Sequence, residues 1–398
     1  NLNLPIDYER ANFKQLDKIF KGLKGKIYSL NSIDKILKEI DKIVLDEQFE
    51  FLESTVKENI EENLINLTFN IAESEKFYVE KINILGNNIT REEVIRNNLL
   101  VDEGDAFNEL LQTRTLNNLK SLNFFRTVES EILDSENVNK KIINITVEEK
   151  PTGEIMAGVG VSTAGGKFAF GVSENNFLGR GIEFTSDISV SEESLRGLIS
   201  LNNPNYKGSN RSLNASLEST STDRLTNFGY KSDKTGFSVG STFEFYDDLY
   251  WNTGISSYVE KLETDSTASA SMKKQKGSYF DTFYNQTFSY DKRNQKYQTS
   301  DGYIIRFTQN IPLISENYAL TNSYDYKIYN EWLDDNVFSI GFFGKTTNSL
   351  SGKDVKLSDR LYLPASKLRG FESGKVGPKD GNDHIGGNYA ASINIATT

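Results

Sequence analysis

From about residue 154 onward, apolar and polar residues alternate with a period of two. "GIEFTSDISVS" (181–191) sets Ile182, Phe184, Ile188 and Val190 on one face of an extended chain. "TGFSVGSTFEFY" (235–246) does the same with Phe237, Val239, Phe243 and Phe245. "GYIIRFTQNI" (302–311) puts Tyr303, Ile305, Phe307 and Ile311 on one side and Arg306 and Thr308 on the other. "NVFSIGFFG" (336–344) uses Phe338, Ile340 and Phe342. Gly, Asn, Asp and Ser separate these runs. A tilted strand needs about nine to eleven residues to cross a bilayer, and about twelve segments of that length follow one another here. The pattern predicts an antiparallel transmembrane β-barrel with one apolar and one polar face. A soluble β-sandwich or propeller would use strands nearer five or six residues, with turn signals closer together. Many of the 25 Phe and 19 Tyr residues fall near strand ends, where aromatic girdles form.

The first 150 residues read differently. A repeat appears at an offset of about 79 residues. Gly25 and Tyr28 match Gly104 and Phe107, and Leu37, Ile40 and Ile43 match Leu116, Leu119 and Leu122. The last three are spaced by three, which makes an apolar stripe on a helix. "LINLTFNI" (64–71) matches "IINITVEE" (142–149), and both alternate as strands. Each unit is expected to run strand, helix, turn, helix, strand, strand. In the second unit the strands are 77–86, 124–133 and 141–150 and the helices 90–100 and 108–123. Thr90 and Glu93 have the spacing of a capping box at the start of the first helix.

Charge sharpens the division. Residues 1–150 hold 20 Lys and Arg against 28 Asp and Glu, and the remainder 25 against 28. The first part is a solvated acidic module. The overall charge of −11 gives no basic face for nucleic acid. With no cysteine, thiolate metal sites, disulfides and Cys nucleophiles are excluded. No apolar run reaches about 18 residues, which rules out a membrane-spanning helix but not a barrel. The start, "NLNLPIDYER", lacks the features of a signal peptide, and both ends are expected to be cuts in a longer chain.

The order of repeat, repeat, barrel resembles the outer-membrane protein assembly family, the BamA-like barrels preceded by POTRA domains. "FYVEKINILGNNITREEVIRNNLLVDEGDAFN" with "LKSLNFFRTVESEI" is similar to the final POTRA domain. "ENNFLGRGIEF" and "LNNPNY" resemble early barrel turns, and "KLRGFESGKVGP" followed by "GGNYAASINI" resembles the long loop that folds back into the lumen with an Arg-Gly-Phe tip. The resemblance implies a POTRA domain at 1–74, the last POTRA domain at 75–151 and a barrel at 152–398 with an inward-folded loop at 349–385. It also implies about sixteen strands, of which the last four are missing here. It places the barrel in the bacterial outer membrane and the POTRA domains in the periplasm. Leu368 stands where the family usually has Val.

The resemblance further implies that Leu368, Arg369, Gly370 and Phe371 pin the loop inside the barrel. The Arg fork would bind a wall carboxylate that belongs to the missing strands, and Gly370 allows the tight bend. The first barrel strand, 154–166, is expected to form a weak seam. Ile155, Ala157, Gly158, Val159, Gly160 and Val161 line it, and its glycines add little packing; the same glycines also suit bulges where a sheet curves. An opened seam would accept a client strand by β-augmentation. Glu103 matches a partner-docking acidic position of the family, or is an exposed turn residue without a role. The expected function is folding and insertion of β-barrel proteins. Partners would be unfolded outer-membrane β-barrel clients, periplasmic accessory lipoproteins at the POTRA domains, and outer-membrane lipid. The alternative is a two-partner-secretion pore exporting one dedicated protein.

Nothing points to catalysis or a cofactor. His384 is the lone histidine and lies in "DGNDHIGGN", with no triad spacing around it and the character of a solvated loop residue. "GVGVSTAGG" (158–166) lacks the spacing and the following helix of a phosphate loop. The acidic pairs show no metal-ligand pattern.

Overall fold

A computed structural model describes residues 2–4, 16, 20, 36, 37, 40, 43, 52–61, 64–73, 77–162, 165–296, 298–333, 336–364, 366–372 and 374–397. The chain divides into two compact units, Asn1–Pro151 and Thr152–Thr398.

The first unit contains two three-stranded sheets of the same topology. In one, β1 (Leu2–Asn3) pairs parallel to β3 (Leu64–Glu73), which pairs antiparallel to β2 (Leu52–Glu61). In the other, β4 (Tyr78–Leu85) pairs parallel to β6 (Lys140–Glu149), which pairs antiparallel to β5 (Phe125–Asp134). The repeat is therefore structural. Its helical stripe is visible in the cores: Ile40 and Leu119, the central matched pair, are both fully buried. Ile40 packs with Leu16, Ile36, Ile43, Phe69 and Ile71, and Leu119 with Ile82, Ile95, Phe124, Ile143 and Ile145 among others. Gly25 and Tyr28 lie outside the described residues.

The helices of the second sheet are α1 (Glu92–Arg96) and α2 (Glu109–Ser121). The expected capping box is not made. The N-cap of α1 is Arg91, without a side-chain capping bond. Thr90 is buried and gives its amide to the Glu149 carboxylate, 2.6 Å away. The amides of Asn88 and Ile89 donate to the same carboxylate, each at 2.9 Å. A long-range acceptor thus replaces the local one at the Thr90 amide. Burial alone would raise the Glu149 carboxyl, but these hydrogen bonds outweigh it and hold it below the usual carboxylate range. Gly86 turns the chain out of β4 with φ +88°, and a Cβ there would sit 2.0 Å from the Val147 carbonyl oxygen. Only glycine fits.

The second unit is one antiparallel sheet of twelve strands. They are β7 (Gly153–Ser162), β8 (Gly165–Phe177), β9 (Ile182–Ser191), β10 (Ser194–Asn203), β11 (Arg211–Arg224), β12 (Tyr230–Tyr246), β13 (Leu249–Thr264), β14 (Gly277–Asp291), β15 (Gly302–Ile314), β16 (Ala319–Leu333), β17 (Asn336–Ser349) and β20 (Tyr389–Thr397). Between β17 and β20 lie the two-residue strands β18 (Lys379–Asp380) and β19 (Asp383–His384). The short helices α3 (Leu225–Phe228) and α4 (Ala270–Lys273) sit in the connections after β11 and β13. The twelve strands pair in chain order, and β7 and β20 are the two edges. Among the described residues the sheet is not closed. The run 154–166, expected as one strand, spans a hairpin: Ser162 pairs with Gly165, which begins β8.

Register places the apolar residues on one face throughout. Val159 lies opposite Phe168, Phe168 opposite Val190, and Val190 opposite Leu195. Further along, Ile305 meets Tyr326, Tyr326 meets Phe342, and Phe342 meets Ile393. All of these residues are exposed. An exposed apolar band crossing every strand suits lipid and would be a liability in water. Its aromatics gather at the end of the sheet where β7 begins. Trp251 lies 5.5 Å from Phe243 and 5.6 Å from Phe288, and Tyr290 pairs with Tyr303, Phe177 with Phe184 and Trp332 with Phe338. Each such pair contributes about 0.5–1.5 kcal/mol beyond its burial. β12 and β13, at 17 and 16 residues, are longer than a bilayer crossing requires and continue past the band at the opposite end.

Candidate functional site

Among the described residues the expected seam strand β7 pairs with β8. Ile155, Ala157, Val159 and Val161 share the apolar face, and Gly158 and Gly160 lie on the polar face. Val159 and Val161 are 82% and 89% exposed on the apolar face. The β7–β8 register runs from Gly153 to Ser162 without a shift, so Gly158 and Gly160 do not mark a bulge. A Cβ built at either would meet nothing within 4 Å, and neither has positive φ. These glycines are not demanded by a turn or a close approach; their effect is to leave the strand lightly held.

The long connection 350–388 lies against the polar face, the side a closed barrel turns to its lumen. Its main anchor is Lys356, whose Nζ lies 2.6 Å from Glu260 Oε2 and 2.6 Å from Asp281 Oδ2, with Asp359 Oδ2 at 3.6 Å. Glu260 and Asp281 belong to β13 and β14. Their strand neighbours Val259 and Phe280 are exposed on the apolar face, so the two carboxylates point the other way. Ser232 Oγ donates to Glu260 at 2.5 Å, and Ser315 Oγ to Asp281 at 2.6 Å. Burial would push the Lys356 ammonium down, but Asp359, Glu260 and Asp281 overcome this and hold it above the ordinary lysine range. It stays charged at any physiological pH. Next to it, Leu357 enters a small core with Phe228, Tyr230, Leu262, Ala268 and Met272. Leu361 and Gly387 exchange both backbone hydrogen bonds and tie the two arms of the loop together.

Lys367 is a second anchor, 2.8 Å from Asp325 of β16 and 4.8 Å from the centre of the Phe343 ring. Directly after it comes the Leu368-Arg369-Gly370-Phe371 tip. Arg369 and Gly370 are exposed, and Phe371 is 60% exposed. No hydrogen bond or ion pair reaches Arg369 from the described residues. Gly370 has φ +84°, the left-handed bend its position suggested. His384 is not a solvated loop residue. It is buried and its ring centre lies 6.1 Å from that of Phe228, while burial and then Lys379 and Lys375 hold it below the usual histidine range. Sequence reasoning missed Lys356 and Lys367, because a lysine in a polar loop reads as solvated.

Glu103 sits at the turn before Gly104 and is engaged within its own domain. Its Oε1 accepts from the Ile82 amide at 3.0 Å and lies 3.6 Å from Arg96. The side chain thereby covers an outward-facing amide of the edge strand β4. It also lines an open groove of about 550 Å³ with Tyr78, Glu80, Val138 and Lys140.

The sheet of twelve staves, its lipid-type band and the loop on the polar face describe an architecture with known relatives. The Omp85 superfamily domain matches residues 176–396, and the POTRA family, described as a surface antigen variable number repeat, matches residues 77–150. The chain belongs to the Omp85 superfamily. Among Omp85-type relatives, the outer membrane protein assembly factor BamA of Nitratidesulfovibrio vulgaris is 23% identical over 363 residues, covering 87% of this chain and 44% of that protein. The chain spans about half the length of the curated relatives it matches. Of solved structures, BamA from Haemophilus ducreyi lacking POTRA domains 1–3 shares the fold. Its TM-score is 0.76 at 20% identity, with 98% of this chain and 80% of that chain covered. CdiB from Acinetobacter baumannii has a TM-score of 0.51 at 14% identity, with 100% of this chain and 75% of that one covered. This Omp85 chain is a BamA-like outer-membrane protein with a periplasmic POTRA region and a barrel-type sheet of twelve strands that does not close among the described residues.

Proposed function

We propose that the chain is the barrel-forming part of an outer-membrane protein assembly factor that folds and inserts β-barrel clients by lending them a strand edge. The observation that carries the reading is β7 itself: a strand in unbroken register with β8 whose mid-strand glycines have empty Cβ positions, so that side-chain packing adds little to its hold. A closed barrel hides its strand edges. Opened at β7, the barrel would present the amides and carbonyls of that strand to an incoming one, with backbone hydrogen bonds giving affinity and side-chain alternation giving register. No covalent step is needed. The similarity to a protein named as an assembly factor supports the reading.

In this reading residues 1–74 and 75–151 are two POTRA domains and 152–398 the barrel, with clients and accessory lipoproteins engaging the POTRA units. Glu103 and its groove are the proposed docking point, where the carboxylate keeps acceptor capacity beyond its bond to Ile82. The Arg369 pin also remains part of the proposal. It requires a carboxylate other than those of the described residues, and the exposed tip is free to meet one. Export of one dedicated protein is the second outcome of the test. In the full-length protein, a photo-crosslinker at Val159 or Val161 should capture client strands during assembly. Capture of many different barrel precursors supports templating; capture of a single exported protein supports the transporter; capture of none contradicts the seam.

A further inference from the structure

Lys356 is nearly completely enclosed, its side chain 2% exposed, and it faces Glu260 and Asp281, themselves 1% and 4% exposed at the side chain. Buried charge is not tolerated unless paired and hydrogen-bonded. Here each side has what it needs. The ammonium donates to Asp281 Oδ2 and forms an ion pair with Glu260 Oε2 at the same 2.6 Å, with the Tyr279 ring 5.0 Å away. The second oxygens of those carboxylates take Ser232 and Ser315 hydroxyls. The neighbouring Leu357 amide donates to Gln275 Oε1 at 2.9 Å. The geometry is that of a socket: β12, β13, β14 and the connections after β13 and β15 supply the walls, and the loop supplies the key. The exposed Arg369 supplies no such contact.

We propose that Lys356 is the positioning residue that seats the 350–388 loop on the polar face, and that the loop so held closes the lumen. The seating itself follows from the contacts of the described residues. Only its consequence, lumen closure, rests on the barrel reading above. Lys367 with Asp325 is a secondary contact: its partners are about one-third exposed, so water screens it. Removing Lys356 leaves Glu260 and Asp281 unpaired in a dry socket with Asp359 at its rim, and the loop has to lift so that water can reach them.

The chain contains no cysteine, so one introduced thiol reports loop seating cleanly. Ser358→Cys is a near-isosteric probe, because the Ser358 hydroxyl is buried. The full-length protein carrying it would be reconstituted in phosphatidylethanolamine–phosphatidylglycerol liposomes and treated with a charged, water-soluble maleimide. Otherwise wild-type protein should label slowly. Lys356→Met should speed labelling by about tenfold or more, and Glu260→Gln with Asp281→Asn should do the same by leaving the cation only the longer contact to Asp359. The triple variant Lys356→Met/Glu260→Gln/Asp281→Asn should return toward slow labelling, since the one charge left beside the socket, Asp359, is about one-quarter exposed and reaches water. A general loss of packing would not be repaired in this way. Arg369→Ala should leave the probe protected. Unchanged labelling in both Lys356→Met and the carboxylate pair variant overturns the seating; where Lys356→Met fails to insert, the pair and triple variants decide alone. Conductance across planar bilayers tests the consequence. More frequent open events in Lys356→Met support lumen closure, whereas faster labelling with unchanged conductance keeps the seating and overturns lumen closure.

Discussion

If β7 acts as a seam because it is lightly held, stiffening it should slow the protein. Gly158 and Gly160 lie mid-strand with ordinary β geometry, paired with Ala169 and Lys167 on β8. A Cβ at either meets nothing within 4 Å, so a β-branched residue enters without strain. Both point to the polar face, which makes Thr the suitable replacement. A glycine inside a strand costs about 0.5–1 kcal/mol relative to Ala through backbone entropy, and the span of β-propensities is about 1 kcal/mol. Two replacements should therefore favour ordered, paired β7 by about 1–2 kcal/mol, which lowers the open population about five- to thirtyfold. The assay is insertion of a radiolabelled client barrel into liposomes containing the full-length protein, followed by protease protection. Gly158→Thr/Gly160→Thr should insert client several-fold more slowly while showing a raised thermal transition. A raised transition with an unchanged insertion rate would refute the idea that seam lability limits assembly.

Three further expectations concern other parts of the chain. Gly86→Ala should destabilise the domain spanning residues 77–150 by about 2 kcal/mol or more, since it combines positive φ with overlap of the Val147 carbonyl; proteolysis of that domain within the intact protein would reveal it. Glu149 has its carboxyl held below the usual range, so its contribution is present above the unfolded carboxylate pKa near 4.3 and lost as pH falls through the lower folded value. Amide exchange at Asn88, Ile89 and Thr90, corrected for intrinsic rates, should accelerate as the pH falls below the ordinary carboxylate range and in Glu149→Gln already at neutral pH. Arg369→Glu in the full-length protein should impair client assembly if the tip meets a carboxylate; wild-type assembly rates in that variant would remove the pin.

What the sequence made legible was whatever rests on periodicity. The twelve strands and their lipid-facing residues were readable because period-two alternation survives in almost every segment, as in Phe237, Val239 and Phe243. The matched helical stripe was readable because Ile40 and Leu119 must both be buried. Contacts between distant residues were not. Thr90 and Glu93 have the spacing of a local cap, yet the buried Thr90 amide found Glu149, 59 residues away. Lys356 found Asp281, 75 residues away, and nothing near it in sequence suggests that a cation in "LSGKDVKLSD" will be enclosed. His384 failed for the same reason, because its burial depends on Phe228 across the fold. Alternation could place Glu260 and Asp281 on the polar face, but not say which loop residue would arrive between them.

The central claim is that this barrel serves many clients, and depletion tests it most directly. With expression of the full-length protein shut off, quantitative proteomics of isolated outer membranes should show many unrelated β-barrel proteins falling together, while outer-membrane lipoproteins without barrels persist. An outer membrane whose barrel content is unchanged, with one exported protein missing from the medium, would contradict it.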